Sequence, residues 1–191
     1  MFDVMRILFP ILIGILAATT VEASDCPPPP DHGEQLDALI AQVQTAADAE
    51  AARDLTNQMW ALWADAPNDQ AQEILDRGMT RRSGFDLLGA IQDFDRLVQL
   101  CPSYAEGYNQ RAFAHYLRQD YGAALVDLDA ALVLSPRHIG ALSGKALSLY
   151  GLGRLDEARI ALSRALELNP WLPERGLAAP GGPLAPKGQD I

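Results

Sequence analysis

Three histidines and one glycine-rich turn are the residues of this chain whose types could do chemistry. His32, His115 and His138 are too far apart in sequence for the spacing that places ligands around a metal ion. The stretch GLGRLD, residues 151–156, begins like a dinucleotide-binding loop, but an aspartate stands at the third glycine position and no strand pattern precedes it. Neither a nucleophile elbow nor a phosphate loop is found. The sequence therefore predicts no catalytic residue, no metal, no cofactor and a protein that is not an enzyme.

The charge of the chain argues against a nucleic-acid partner. Its 191 residues include 25 acidic and 15 basic side chains, which gives a formal net charge of −10. Binding to phosphate backbones needs clustered lysine and arginine, and no such cluster is present. At 49% hydrophobic residues the chain can nevertheless bury a core.

The N-terminal segment, up to Ala23, has the pattern of a secretory signal peptide. Arg6 precedes an apolar run at residues 7–18, and Val21-Glu22-Ala23 fits signal-peptidase cleavage after Ala23. The run is shorter than the roughly 20 residues of a membrane-spanning helix. We expect export and no membrane insertion of the mature chain, with an uncleaved anchor as the alternative.

Two cysteines, Cys26 and Cys101, would then lie in an oxidising compartment, where such a pair is more often bonded than free. In the chain-entropy model, closing the loop between them would contribute roughly 4 kcal/mol to stability. The alternative is two unlinked thiols, with Cys101 simply packed.

A 34-residue period organises the central part of the chain. Residues 24–34 form a proline-rich linker that cannot be helical. Beyond it, apolar residues follow at spacings of three and four, which predicts amphipathic helices. Three such runs end at Pro102, Pro136 and Pro170, which are equally spaced along the chain. Each interval predicts one helical hairpin.

This pattern resembles the tetratricopeptide repeat (TPR) family, whose repeats are helix–turn–helix units of the same period. Counting back from the prolines gives repeats at 71–104, 105–138 and 139–172. The family has small residues where the two helices of a hairpin cross. The matching residues are Gly78, Ala112 and Ala146 on the first helices and Ala90, Ala124 and Ala158 on the second helices.

The resemblance implies an all-α solenoid of three repeats with atypical ends. Residues 35–70 are expected to form a divergent N-terminal capping hairpin, and residues 173–191 a disordered tail. The polar helix that usually closes such an array is not visible in the sequence. Either Trp171 and Leu172 fold back over the open end, or a second protein covers it.

In the family, the first helices of the hairpins line a concave groove that binds protein or peptide partners. The positions that match are mostly apolar, aromatic or arginine side chains, and tyrosine and arginine are enriched at binding hot spots. They are Leu75, Met79, Arg82, Asn109, Phe113, Tyr116, Leu147 and Tyr150. The alternative is that the chain's own N-terminal hairpin or tail covers this face. The carboxylate clamp of some family members needs asparagine at the sixth position of the repeat. This chain has Gln110 and Gly144 there, so that role is not expected.

The function implied by the resemblance is a non-enzymatic scaffold, exported to the periplasm, that binds a protein or peptide in its groove. The alternative is a structural subunit of a cell-envelope complex that docks through its uncapped C-terminal end. A column of cations at the seventh position of each repeat, Arg77, Arg111 and Lys145, could pair with acids of the hairpins or capture an acidic partner. The sequence specifies neither the partner nor the oligomeric state.

Overall fold

The computed structural model describes residues 26–186. The predicted signal peptide, residues 1–23, lies outside the described residues. Within residues 26–186 the chain forms nine helices and no strand, and none of these helices is long and apolar enough to cross a membrane. The helices are α1 (Gly33–Gln44), α2 (Ala49–Trp63), α3 (Asp69–Ser83), α4 (Leu87–Leu100), α5 (Ala105–Leu117), α6 (Tyr121–Leu134), α7 (Ile139–Gly151), α8 (Leu155–Leu168) and α9 (Arg175–Ala178).

Several helix starts are fixed by short polar side chains. Asp48, Asn68, Asp86 and Asp120 each precede a helix and accept hydrogen bonds from backbone N–H groups of its first turn. These groups have no partner within the helix, so each cap contributes about 1 kcal/mol. The second helices of the hairpins, α4, α6 and α8, each end just before one of the three equally spaced prolines.

Helices α3 to α8 form three stacked hairpins, and the predicted all-α TPR-type solenoid is confirmed. The five alanines at the predicted crossing positions are fully buried. At the remaining crossing position, a Cβ on Gly78 would come within 2.4 Å of the Phe94 ring. The small residues are therefore what lets paired helices approach closely.

The N-terminal hairpin α1–α2 lies against the opposite end of the array. Its buried residues share one core with Ile139 and Leu142 of α7 and with Ala165 of α8. The side chain of Gln44 donates to the Glu167 carbonyl oxygen at 2.7 Å. At the other end of the hairpin, the Tyr104 hydroxyl donates to the Trp63 carbonyl oxygen at 2.8 Å. The hairpin thus crosses the concave side of the stack, as in the self-coverage alternative.

The N-terminal segment is also tethered covalently. Cys26 and Cys101 form a disulfide with their Cα atoms 5.2 Å apart. Cys101, directly after α4, is fully buried in the core that α3 and α4 share. The bond therefore fixes the start of the linker to the first repeat.

The C-terminal segment differs from the predicted disordered tail as far as residue 186. Residues 175–178 form α9, and Leu177 and Leu184 pack against α8, with Leu184 fully buried. Leu172 joins the core below the N-terminal hairpin. The segment is rich in glycine and proline, so its composition predicts disorder. The burial of its isolated leucines depends on contacts with α8, which composition does not indicate. The chain's own tail therefore covers the end of the array that the sequence left open.

Candidate functional site

Helix α2 roofs part of the concave groove and leaves a cavity of about 960 Å³ beneath it. The floor and walls come from the first helices α3, α5 and α7. The segment that follows α8, residues 169–175, closes one side. A hydrogen bond from Asn169 to the Thr56 hydroxyl, at 3.1 Å, links this segment to α2.

Six of the eight predicted groove residues line this cavity: Met79, Arg82, Asn109, Phe113, Tyr116 and Leu147. The other two lie elsewhere. Leu75 is fully buried in the core formed by α3 and α4. Tyr150 is 40% exposed and is not part of the cavity wall. The repeat positions thus locate the groove, while the solenoid's curvature and the roof decide which side chains reach the cavity.

Arg82 and Phe113 form a cationic and aromatic pair in the wall. The guanidinium carbon of Arg82 lies 4.6 Å from the centroid of the Phe113 ring, a cation–π contact. Arg82 Nη1 also donates to Gln110 Oε1. Burial lowers the pKa of Arg82, and the nearby charge of Glu106 partly opposes this shift. Phe113 itself remains 44% exposed, so it is available for contact with a ligand.

Glu106 is a buried carboxylate below the cavity that sequence reasoning missed. It is 1% exposed and accepts hydrogen bonds from Asn109 (3.0 Å) and Gln110. His138 Nε2 lies 2.8 Å from Glu106 Oε2. Because His138 Nδ1 accepts from the Ala141 backbone N–H, the proton of a neutral ring sits on Nε2, which donates to Glu106. Three donors therefore satisfy this carboxylate.

The signal for Glu106 was present in the sequence. It occupies the second position of its repeat, one of the positions that line the groove in the TPR family. His138 lies in the turn between two repeats, and its ring is stacked on Trp63 with the ring centroids 4.2 Å apart. Since Trp63 belongs to the roof, this stack joins α2 to the floor.

The charged side chains of the repeat stack pair with one another. Within residues 26–186 no group of three or more histidine, cysteine or acidic side chains could hold a metal ion. The three cations of the seventh position also have partners within the stack. Arg77 bonds to Asp93 at 3.0 Å, Arg111 to Asp127 and Asp95 at 2.8 Å, and Lys145 to Asp129 at 2.6 Å. That column therefore fastens the hairpins.

Comparisons with known proteins agree with the fold. A family model described as a tetratricopeptide repeat matches residues 140–170. A TPR repeat-containing protein of Rhizobium etli is 27% identical over 140 residues, which cover 72% of this chain and 67% of the relative. Tetratricopeptide repeat protein 36 of Xenopus tropicalis is 35% identical over 131 residues, covering 65% of this chain and 62% of that protein. The chain thus spans less than two thirds of the length of the frog relative.

Solved structures show the same architecture. The first TPR domain of Spaghetti (RPAP3), bound to an HSP90 peptide, aligns with a TM-score of 0.53 at 23% identity and covers 54% of this chain and 82% of that domain. The Arabidopsis OM64 TPR domain aligns with a TM-score of 0.56 at 20% identity, covering 58% of this chain and 91% of that domain. At these identities the likeness concerns the fold alone. Three stacked hairpins at equal intervals, together with the family-model match over residues 140–170, identify the chain as a protein with tetratricopeptide repeats.

Proposed function

We propose that this protein is a non-enzymatic interaction scaffold that binds a segment of a protein partner in the cavity beneath α2. The observation that carries the proposal is the exposed Phe113 ring beside Arg82 in a cavity of about 960 Å³. Arginine and large aromatic side chains are enriched at binding hot spots. The neighbouring fold of Spaghetti, which is bound to an HSP90 peptide, supports peptide binding as the mode.

The shape of the cavity favours a short segment over a folded surface. Packed helices form its floor, so little conformational entropy is lost when a ligand binds. The roof is held at its C-terminal end by the Tyr104–Trp63 hydrogen bond and at its middle by the Asn169–Thr56 hydrogen bond. An inserted side chain or an extended segment can therefore enter the cavity beneath α2 and contact Phe113.

We further propose that the protein acts in the periplasm after cleavage following Ala23. The Cys26–Cys101 disulfide supports this place, because such bonds persist in oxidising compartments. Docking through an uncapped C-terminal end is less well supported, since α9 and Leu184 cover α8.

Affinity capture from envelope extract tests the binding site. The bait is residues 24–191, beside a Phe113→Ala/Tyr116→Ala variant and a Tyr150→Ala control that removes an exposed aromatic outside the cavity. We expect the wild type and the control to retain one protein that the double variant loses. Equal retention by all three would contradict binding in the cavity, provided that circular dichroism shows all of them folded.

A further inference from the structure

Arg82 differs from the other half-buried arginines in lacking an acidic partner. Arg81, Arg111 and Arg159 each form an ion pair with an aspartate, at 3.1, 2.8 and 2.6 Å. Arg82 has no carboxylate within 4.0 Å among residues 26–186, and its hydrogen-bond acceptor is the neutral Gln110. A partly buried charge without a counter-charge costs free energy. The Arg82 guanidinium is therefore poised for an anion from outside the fold.

The acids nearest to Arg82 do not fill this role. Both oxygens of Glu106 are already engaged by Asn109, Gln110 and His138. Glu174, the second acid of the cavity wall, forms no ion pair with Arg82 within 4.0 Å, and its buried Oε2 has no hydrogen-bond partner among the described residues. Only burial and Glu106 affect the pKa of Arg82.

Two more hydrogen-bond donors in the cavity wall lack an acceptor. The Ser148 hydroxyl and the Trp63 indole N–H are buried and have no hydrogen-bond partner in the described part of the chain, and the same holds for one acceptor of the wall, Glu174 Oε2. Buried polar groups in proteins nearly always have a partner. Together with the Arg82 guanidinium, these donors outnumber the one unpaired acceptor, and a ligand carboxylate can accept from them.

The rest of the wall suits an apolar body. Trp60 and Trp171 line the cavity together with the aliphatic side chains of Met79, Ile139 and Leu147. The volume of about 960 Å³ lies within the range of small-molecule sites, roughly 300–1,000 Å³, which are mostly apolar with a few placed polar groups. The Arg82 guanidinium contacts the Phe113 ring and donates from Nη1 to Gln110, and its remaining N–H groups can donate to a carboxylate.

We propose that the cavity is a binding site for a free amphipathic carboxylate, with the carboxylate on Arg82 and an aliphatic or aromatic body between α2 and α7. The proposal goes beyond the scaffold function because it needs no protein partner. A ligand of this class and a partner segment would compete for the cavity.

Tryptophan fluorescence can measure ligand binding in this cavity. The chain has three, and Trp60, Trp63 and Trp171 all line the cavity, so intrinsic fluorescence reports its occupancy directly. Purified protein with the disulfide intact is titrated with decanoate and, separately, with decyltrimethylammonium, which has the same chain length and the opposite charge. We expect saturable binding of decanoate at least tenfold tighter than that of the cation. Arg82→Met should weaken decanoate binding at least tenfold, and Arg118→Met, an exposed arginine outside the cavity, should leave it unchanged.

Equal affinity for the two amphiphiles, or no saturable response to decanoate, would overturn the proposal. If Arg82→Met does not fold, the comparison of the two amphiphiles on the wild type decides alone. The experiments distinguish failure of the carboxylate-binding proposal from failure of the proposed scaffold function. A partner captured through Phe113 and Tyr116, with no decanoate binding, would leave the scaffold standing and assign the Arg82 charge to the partner segment.

Discussion

The indole ring of Trp60 lies directly against the backbone of Gly140, so closely that a Cβ on this glycine would come within 2.4 Å of the ring. Trp60 belongs to α2 and Gly140 is the second residue of α7. This contact packs α2, the roof of the cavity, against α7 in its floor. One of the contacts that cover the concave groove therefore requires a residue without a side chain at position 140.

Gly140→Ala should displace the N-terminal hairpin. The added methyl group forces Trp60 out of its place, and overpacking of this kind costs about 1–3 kcal/mol. We expect a lower free energy of unfolding, faster amide hydrogen exchange in α1 and α2, and a red shift of tryptophan fluorescence.

Gly122→Ala is the matched control for this change. Gly122 is also the second residue of its helix, α6, and a Cβ there would meet no atom within 4 Å. Because alanine favours helix over glycine, this variant should be stabilised by up to about 0.5 kcal/mol. If both variants behave alike, the Trp60–Gly140 contact does not hold the roof.

The repeats could be predicted because their packing is encoded locally. Gly78 and Ala90 are close in sequence and lie on the two helices of one hairpin, and the same spacing of small residues recurs in the next two repeats. The position of the α1–α2 hairpin could not be predicted in this way. It depends on contacts such as that of Trp60 with Gly140, and these two residues are more than two repeats apart in sequence. No periodic pattern signals such a contact.

The candidate site was predicted in part for the same reason. Repeat positions identified Arg82 and Phe113, which lie on adjacent first helices. The environment of Glu106 depends on His138 and on Trp63 of the roof, which meet only in the folded chain. The burial of Leu184 could not be predicted either, because it depends on packing against α8.

The disulfide should contribute strongly to stability. It closes a sequence separation of 75 residues, and the chain-entropy model gives about 4 kcal/mol for a loop of this length. Cys26→Ala should lower the free energy of unfolding in denaturant by up to that amount. Dithiothreitol should lower the stability of the wild type equally and leave Cys26→Ala unaffected. A wild type insensitive to the reductant would contradict this contribution.

Glu106→Gln should destabilise the fold despite its nearly identical shape. The carboxylate accepts from three donors, and the variant turns an amide NH₂ toward one of them, which leaves buried donors unpaired. We expect a loss of about 2–4 kcal/mol in chemical denaturation. Glu73→Gln, on the exposed side of α3, should change stability by less than about 0.5 kcal/mol. Similar values for both variants would show that the Glu106 network is unimportant for folding.

Ala124→Leu should overfill the helix crossing of the second repeat. Ala124 is fully buried, and a larger side chain there would separate α5 from α6. Such overpacking costs about 1–3 kcal/mol and should lower the melting temperature. Val126→Leu, on the exposed side of the same helix, should leave it nearly unchanged. An unaltered melting temperature for Ala124→Leu would contradict the assigned repeat register.

Leu184→Ala tests whether the C-terminal segment is part of the folded domain. Leu184 is fully buried against α8, whereas Leu152 is 45% exposed. A disordered tail would make both substitutions to alanine nearly neutral. A docked tail predicts a loss of about 2 kcal/mol or more for Leu184→Ala, from the lost burial and the cavity left behind, and a smaller loss for Leu152→Ala. Because the end of α8 is then covered from within the chain, the same result argues against docking of a second protein at that end. Chemical denaturation of the two variants beside the wild type separates these outcomes.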